Sequence, residues 1–185
     1  MSQAPTPADF VLHDVADVDA AVLRQRLEHG ERIGFQFSNL HEIPRLADLL
    51  SGFCPSPMTV SLGLLELMVN AVEHGCLGID HQEKLTLRRE GLWEEEVARR
   101  AALAENRGRQ ASVSLTRNGP WLTYAIADPG EGFDWRPYLD FDPEREEDYA
   151  GRGIALAARL AFDRVEFLGK GNVVLASVGM LSSQS

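Results

Sequence analysis

The stretch from Thr59 to His74, TVSLGLLELMVNAVEH, constrains the fold more than any other part of the chain. Read at 100° per residue it is apolar almost all the way round, which marks a helix meant for burial and not a surface helix with one apolar stripe. Leu62, Leu65, Val69 and Val72 fall on one flank, and Leu64, Leu67, Met68 and Ala71 on the other. Between the flanks runs a thin polar seam of Glu66, Asn70 and Glu73. A carboxylate withdrawn from water without a partner is too costly to keep charged. The seam therefore meets a buried polar network, lines a cleft, or is the solvent edge of the helix, and the helix alone leaves all three open.

The rest of the chain divides into separate runs of helix and strand. DVDAAVLRQRLEHG has helical spacing and stops at Gly30, RIGFQFSN alternates as a strand, and HEIPRLADLLSGF is a short amphipathic helix between Pro44 and Gly52. Thr59 or Ser61 is the expected cap of the seam helix. After Gly75 comes a charged, helix-like stretch interrupted at Gly91. ASVSLTRN and WLTYAIAD joined by NGP read as a β-hairpin, and DRVEFLGKGNVVLASVG as two more strands about a turn at Gly169 to Asn172. Helices and antiparallel strands in separate runs predict an α+β two-layer sandwich, with a mixed, mostly antiparallel sheet and helices on one face. The expected organisation is an N-terminal extension over 1–30, one domain over 31–180 with a helical insertion at about 78–110, and a tail at 181–185.

Two glycine-rich turns follow. DPGEGFD starts at Asp128, where a strand ends, and Gly130 and Gly132 permit tight turns and close approach of a ligand, though a plain connecting turn has the same form. GRGIALAARL puts Gly151, Arg152 and Gly153 at the start of a helix, where unbonded N–H groups attract anions; a flexible lead into the helix is the other reading. GxxxxGK[ST], GxGxxG and HExxH are all missing, which excludes a P-loop and its commonest alternatives. His74, Cys76 and His81 lie close together but lack a fourth metal ligand at sensible spacing.

In this order, ELMVNAVEHG, DPGEGFD and GRGIALAARLAFDRVEFLGKGNVVLAS resemble the N box and the two glycine boxes of the GHKL (Bergerat-fold) ATPase superfamily. N-A-x-x-H-G, D-x-G-x-G-F-D and G-R-G-I with the closing D-x-V and G-N-x-V are most similar to the anti-sigma-factor, serine-kinase branch. The likeness runs over about residues 32 to 179, with the stretch at about 78 to 110 outside it. It implies ATP and Mg²⁺ as ligands, with Asn70 as the magnesium ligand and Glu66 as the general base. It also implies that Asp128 accepts from the adenine amino group, that Gly130 and Gly132 flank the nucleoside, and that Gly151, Arg152 and Gly153 cradle the phosphates. Asn172 departs from the hydroxyl residue that many members carry at its position. The segment that corresponds to the ATP lid is acidic, with Asp140, Asp142, Glu144, Glu146, Glu147 and Asp148, and repels a triphosphate.

The function implied is an ATP-dependent serine/threonine protein kinase that phosphorylates or sequesters a regulatory partner, sigma-like or anti-anti-sigma-like, and works as a homodimer. Two alternatives stand beside it: a non-catalytic nucleotide-binding adapter, and the ATPase module of a split histidine kinase. His13, His29 and His41 sit in no long helical hairpin of the kind that carries a phosphoacceptor, which counts against the last. A net charge of -10 argues against a nucleic-acid partner. No apolar run approaches the ~20 residues of a membrane span, and with two cysteines, Cys54 and Cys76, a cytoplasmic setting is expected. Since Gln82 to Arg109 falls outside the boxes, its removal is expected to leave nucleotide binding intact.

Overall fold

The computed structural model describes residues 11–12, 18–135 and 160–180. Its sheet has six strands in the order β1-β2-β3-β4-β6-β5. These are β1 (Val11–Leu12), β2 (Ile33–Phe37), β3 (Ala111–Asn118), β4 (Trp121–Ala127), β5 (Arg164–Leu168) and β6 (Val173–Gly179). Every pairing is antiparallel except that of β1 with β2. This is the α+β, mostly antiparallel sheet that the sequence predicts. The NGP hairpin closes in the expected register, Asn118 opposite Trp121 and Thr116 opposite Thr123.

The register decides which residues make the core. Ile33, Leu115, Tyr124, Ala176 and Val165 lie across from one another, and so do Phe35, Val113, Ile126, Val174 and Phe167. Both rows point to one face, because side chains alternate with a period of two. Helices α2 (Ile43–Ser51) and α3 (Pro57–Asn70) pack on each other and share one apolar core with these rows. Tyr124 fixes the layers, donating its hydroxyl to Leu50 O at 3.1 Å. Leu46, Leu50, Leu64 and Met68 are fully buried, and each contributes roughly 2 kcal/mol by leaving water.

Helix α1 (Ala20–Glu28) is capped by Asp19, whose carboxylate accepts from Ala21 N–H, and sends Leu23 and Leu27 into the core. Residues after the central helix form α4 (His81–Glu90) and α5 (Trp93–Ala101), separated at Gly91, whose φ of +71° ends α4. No single helix among the described residues is long and apolar enough to cross a membrane.

The central helix differs from expectation at both ends. It begins at Pro57, with Ser56 before it, because proline suits a first turn whose N–H groups have no partner anyway. Ser61 does not cap it; its hydroxyl donates to Asp48 Oδ1 at 2.6 Å and ties α3 to α2. Beyond Asn70 the α-helix widens into a π turn over Ala71–Cys76, in which Leu77 N–H reaches Val72 O, five residues back, at 2.9 Å. A π turn takes more residues per turn than 3.6, so residue i+4 falls beneath residue i. His74 thus takes the place on the seam that an α-helix would have given to Glu73.

Candidate functional site

A cavity of about 370 Å³ opens between the end of α3, the π turn, β4 and the turn before β6. Its apolar walls are Leu67, Ile126, Phe167 and Val174, and its polar groups include Asn70, His74, Arg109 and Asp128. A few convergent polar groups in an apolar pocket of this size are what a small-molecule site requires.

Asp128 is held from three sides. Its Oδ1 accepts from Gly130 N–H at 2.8 Å. Its own N–H donates to Asn172 O at 3.0 Å, and the Asn172 amide donates back to Asp128 O at 3.1 Å. Its carboxyl also lies against Gly75, where a Cβ would come within 2.3 Å of Asp128 Cγ, so only glycine fits there. Burial pushes the Asp128 carboxyl up to about 6, opposed by the Gly130 bond and by the charges of Arg109 and Lys170. The group is therefore a desolvated carboxylate at neutral pH, able to accept but not to donate. Gly132, at φ +76°, brings its backbone against Lys170 O, 2.0 Å from where its Cβ would stand, and closes the turn onto the β5–β6 connection.

Asn70 lines the cavity from the last turn of α3, and among the described residues no side-chain hydrogen bond occupies its amide. Glu66 lies one turn earlier on the same line of the helix, about 6 Å along the axis, half-buried and outside the cavity lining. Glu73 leaves the seam: it is fully buried, pairs with Lys84 and accepts from Trp93 Nε1 at 2.7 Å. His74 replaces it in the cavity wall. Its Nδ1 donates to Ile79 O, and burial, against that bond, holds the imidazole below its ordinary range. The ring at the end of the helix is therefore neutral at neutral pH. Gly151, Arg152, Gly153 and the acidic segment Asp140 to Asp148 lie outside the described residues.

The stretch after Gly75 turns out to belong to this site. Gly78, Ile79, Asp80 and His81 line the cavity, and Arg109 Nη2 donates to Gly75 O at 2.9 Å and to Pro129 O at 3.4 Å. Arg100 secures the connecting loop, donating from Nη1 to Leu77 O at 3.2 Å and to Gly78 O at 2.7 Å. Removing Gln82 to Arg109 would take away Lys84, Trp93, Arg100 and Arg109 together, so the contacts in the structure argue against the expectation that nucleotide binding survives that deletion. Gly75 was visible in the sequence as the last residue of N-A-x-x-H-G. Arg109 was not, because no motif or periodicity connects it with Asp128.

The sequence model of the family described as histidine kinase-like ATPase domain matches residues 12–178. The chain belongs to this family. Histidine kinase-like ATPase domains bind ATP, generally with Mg²⁺. The residues present fit both. The acceptor-only Asp128, with glycine backbone pressed around it, suits an adenine amino group, and the Asn70 amide offers the single hard oxygen that suffices for a magnesium ion already bound by phosphates and water. No curated protein matches the chain significantly.

Proposed function

We propose that this histidine kinase-like domain is an ATP-dependent serine/threonine protein kinase of the anti-sigma type, which passes the γ-phosphate to a regulatory partner that it also holds. The observation that carries this reading is the line of residues along the central helix. Gly75 meets Asp128 at one end, Asn70 lies in the cavity, and Glu66 follows one turn beyond with no hydrogen bond or ion pair on its carboxylate among the described residues. A nucleotide with its base on Asp128 and its phosphates running back along this line would bring the γ-phosphate toward Glu66.

Asp128 would accept from the adenine amino group, and Asn70 would hold the magnesium ion. A bound magnesium ion supplies positive charge to the phosphates. Glu66 would orient the partner's hydroxyl and take its proton as the hydroxyl oxygen bonds to the γ-phosphorus. The bond from that phosphorus to the bridging oxygen breaks, and ADP keeps the electron pair.

Single-turnover transfer from labelled Mg-ATP to a serine-bearing partner domain tests this. Glu66→Gln keeps the shape and hydrogen bonding of the side chain but not its basicity. It should slow transfer by roughly 10²-fold or more while ATP affinity stays within a few-fold. Transfer at the parent rate would remove Glu66 from its role. A parent protein that binds ATP and partner tightly yet transfers nothing would instead be a nucleotide-dependent adapter.

A further inference from the structure

Arg109 stands just before β3, away from every motif, yet it touches both walls of the nucleotide end of the cavity. One terminal nitrogen donates to Gly75 O on the π turn and to Pro129 O in the Asp128 turn. Gly75 and Asp128 are in close contact there, with no room for a Cβ between them. Among the described residues the buried Arg109 Nε has no hydrogen-bond partner, so the bonds that hold the side chain are those of its Nη2 to Gly75 O and Pro129 O.

We propose that Arg109 is the positioning residue that sets base specificity: by bridging the Gly75 and Pro129 carbonyls it keeps Asp128 an acceptor-only carboxylate, so that the pocket takes adenine and refuses guanine. The proposal rests on the reading above that Asp128 meets the base. The chemistry is one of donors and acceptors. A carboxylate accepts from the adenine amino group and repels the oxygen that guanine presents at the same place. A protonated carboxyl has an O–H to donate, and guanine's oxygen satisfies it.

Which form Asp128 takes depends on the charges around it. Arg109 faces it from the segment before β3 and Lys170 from the β5–β6 turn, and both favour the ionised form. Lys170 is shared with Glu131, whose carboxylate accepts from it at 2.9 Å. From the π turn come Cys76, whose thiol burial and Asp128 together push up to about 11, and the neutral His74. Asp80 and His81 line the cavity from the start of α4. Arg109 is thus the cation bonded to the backbone on both sides of Asp128, at Gly75 O and Pro129 O, while Lys170 pairs with Glu131 in the same turn.

The test is a calorimetric titration of the full chain with Mg-ATP and with Mg-GTP between pH 5.5 and 8.5, for the parent, Arg109→Gln, Arg109→Lys and Asp128→Asn. The parent's preference for ATP should fade as pH drops through about 6. In Arg109→Gln the midpoint of that loss should move up by about one pH unit or more, the scale of a lost neighbouring charge. Its preference at pH 7 should shrink at least tenfold and recover at pH 8.5. Arg109→Lys keeps the charge and should stay near the parent midpoint. The proposal is overturned if Arg109→Gln keeps the parent midpoint, or if both Arg109 variants weaken ATP and GTP equally at every pH, which would make Arg109 a structural tie alone. A parent that binds ATP and GTP equally throughout, with Asp128→Asn no different, overturns the reading of Asp128 as well.

Discussion

The two halves of the central helix treat a carboxylate in opposite ways. In the α-helical half, Glu66 is half-buried and its carboxylate has no internal partner among the described residues. In the π-helical half, Glu73 is fully buried, paired with Lys84 and bonded by Trp93. Seven residues separate the two in sequence, and a constant helical twist would have put both on one seam. Under the proposed function, the difference lies in what the charge is for. A carboxylate that fixes structure is neutralised on every side, whereas one that can act on a ligand is left with capacity to spare.

The comparison breaks first at Lys84. Removing one partner of a buried ion pair leaves the other charge uncompensated, which costs about 3–5 kcal/mol. Lys84→Met should therefore lower the unfolding free energy by that amount in urea. Glu66→Gln should change it by less than about 0.5 kcal/mol, as exposed or half-exposed polar changes do. The double variant Glu73→Leu with Lys84→Met should recover most of the loss, because well-packed apolar groups replace a buried pair at little cost. If Lys84→Met proves as mild as Glu66→Gln, then Glu73 finds solvent or another partner and the contrast between the halves fails.

The next effect concerns the boundary between the π turn and the base end of the cavity. Gly75→Ala would drive a methyl to 2.3 Å from Asp128 Cγ, and no rotation of an alanine can relieve it. Asp128 has to move, so ATP affinity should fall at least tenfold, as a small misplacement of a binding group can cause. Gly91→Ala is the matched control. It sits at φ +71° with nothing within 4 Å, so the substitution meets only backbone strain, about 1 kcal/mol of stability, and should leave affinity alone. Equal affinity losses in the two would mean that the close approach at Gly75 does no more than shape a turn.

How much of this was legible in the sequence follows the same divide. The hairpin register, the strand alternation from Ile33 to Phe37 and the helix break at Gly91 are local, and local turn chemistry or periodicity reports them. Asn70 and Asp128 were legible because their motifs tie each residue type to a fixed neighbourhood. The π turn was not, since one extra residue per turn leaves no mark on composition and shifts every later position. Reading past Asn70 at 100° per residue put Glu73 on the seam, where the π turn puts His74. Lys84, Trp93 and Arg109 were hidden for a different reason. They act across 11, 20 and 34 residues of chain, contacts that only the folded topology creates.

The smallest effect has the sign opposite to the first, and so sharpens the comparison most. Asp128 titrates at about 6 in the folded chain against an ordinary 3.8. Between those values the folded state keeps a proton that the unfolded chain has lost. Its contribution to stability is therefore fully present below about pH 4 and lost as pH rises through about 6. At pH 7.5 the ionised group burdens the fold, by on the order of 1 kcal/mol once its contact with solvent is allowed for. Asp128→Asn abolishes that titration and can still accept from Gly130 N–H through its remaining oxygen. Unfolding in urea should show the variant more stable than the parent at pH 7.5 and the difference gone near pH 4, while its affinity for ATP falls. A variant less stable than the parent at pH 7.5 would class Asp128 with Glu73, as a carboxylate held for structure. The expected gain sets it apart from Glu73, as a charge that the fold keeps at its own expense.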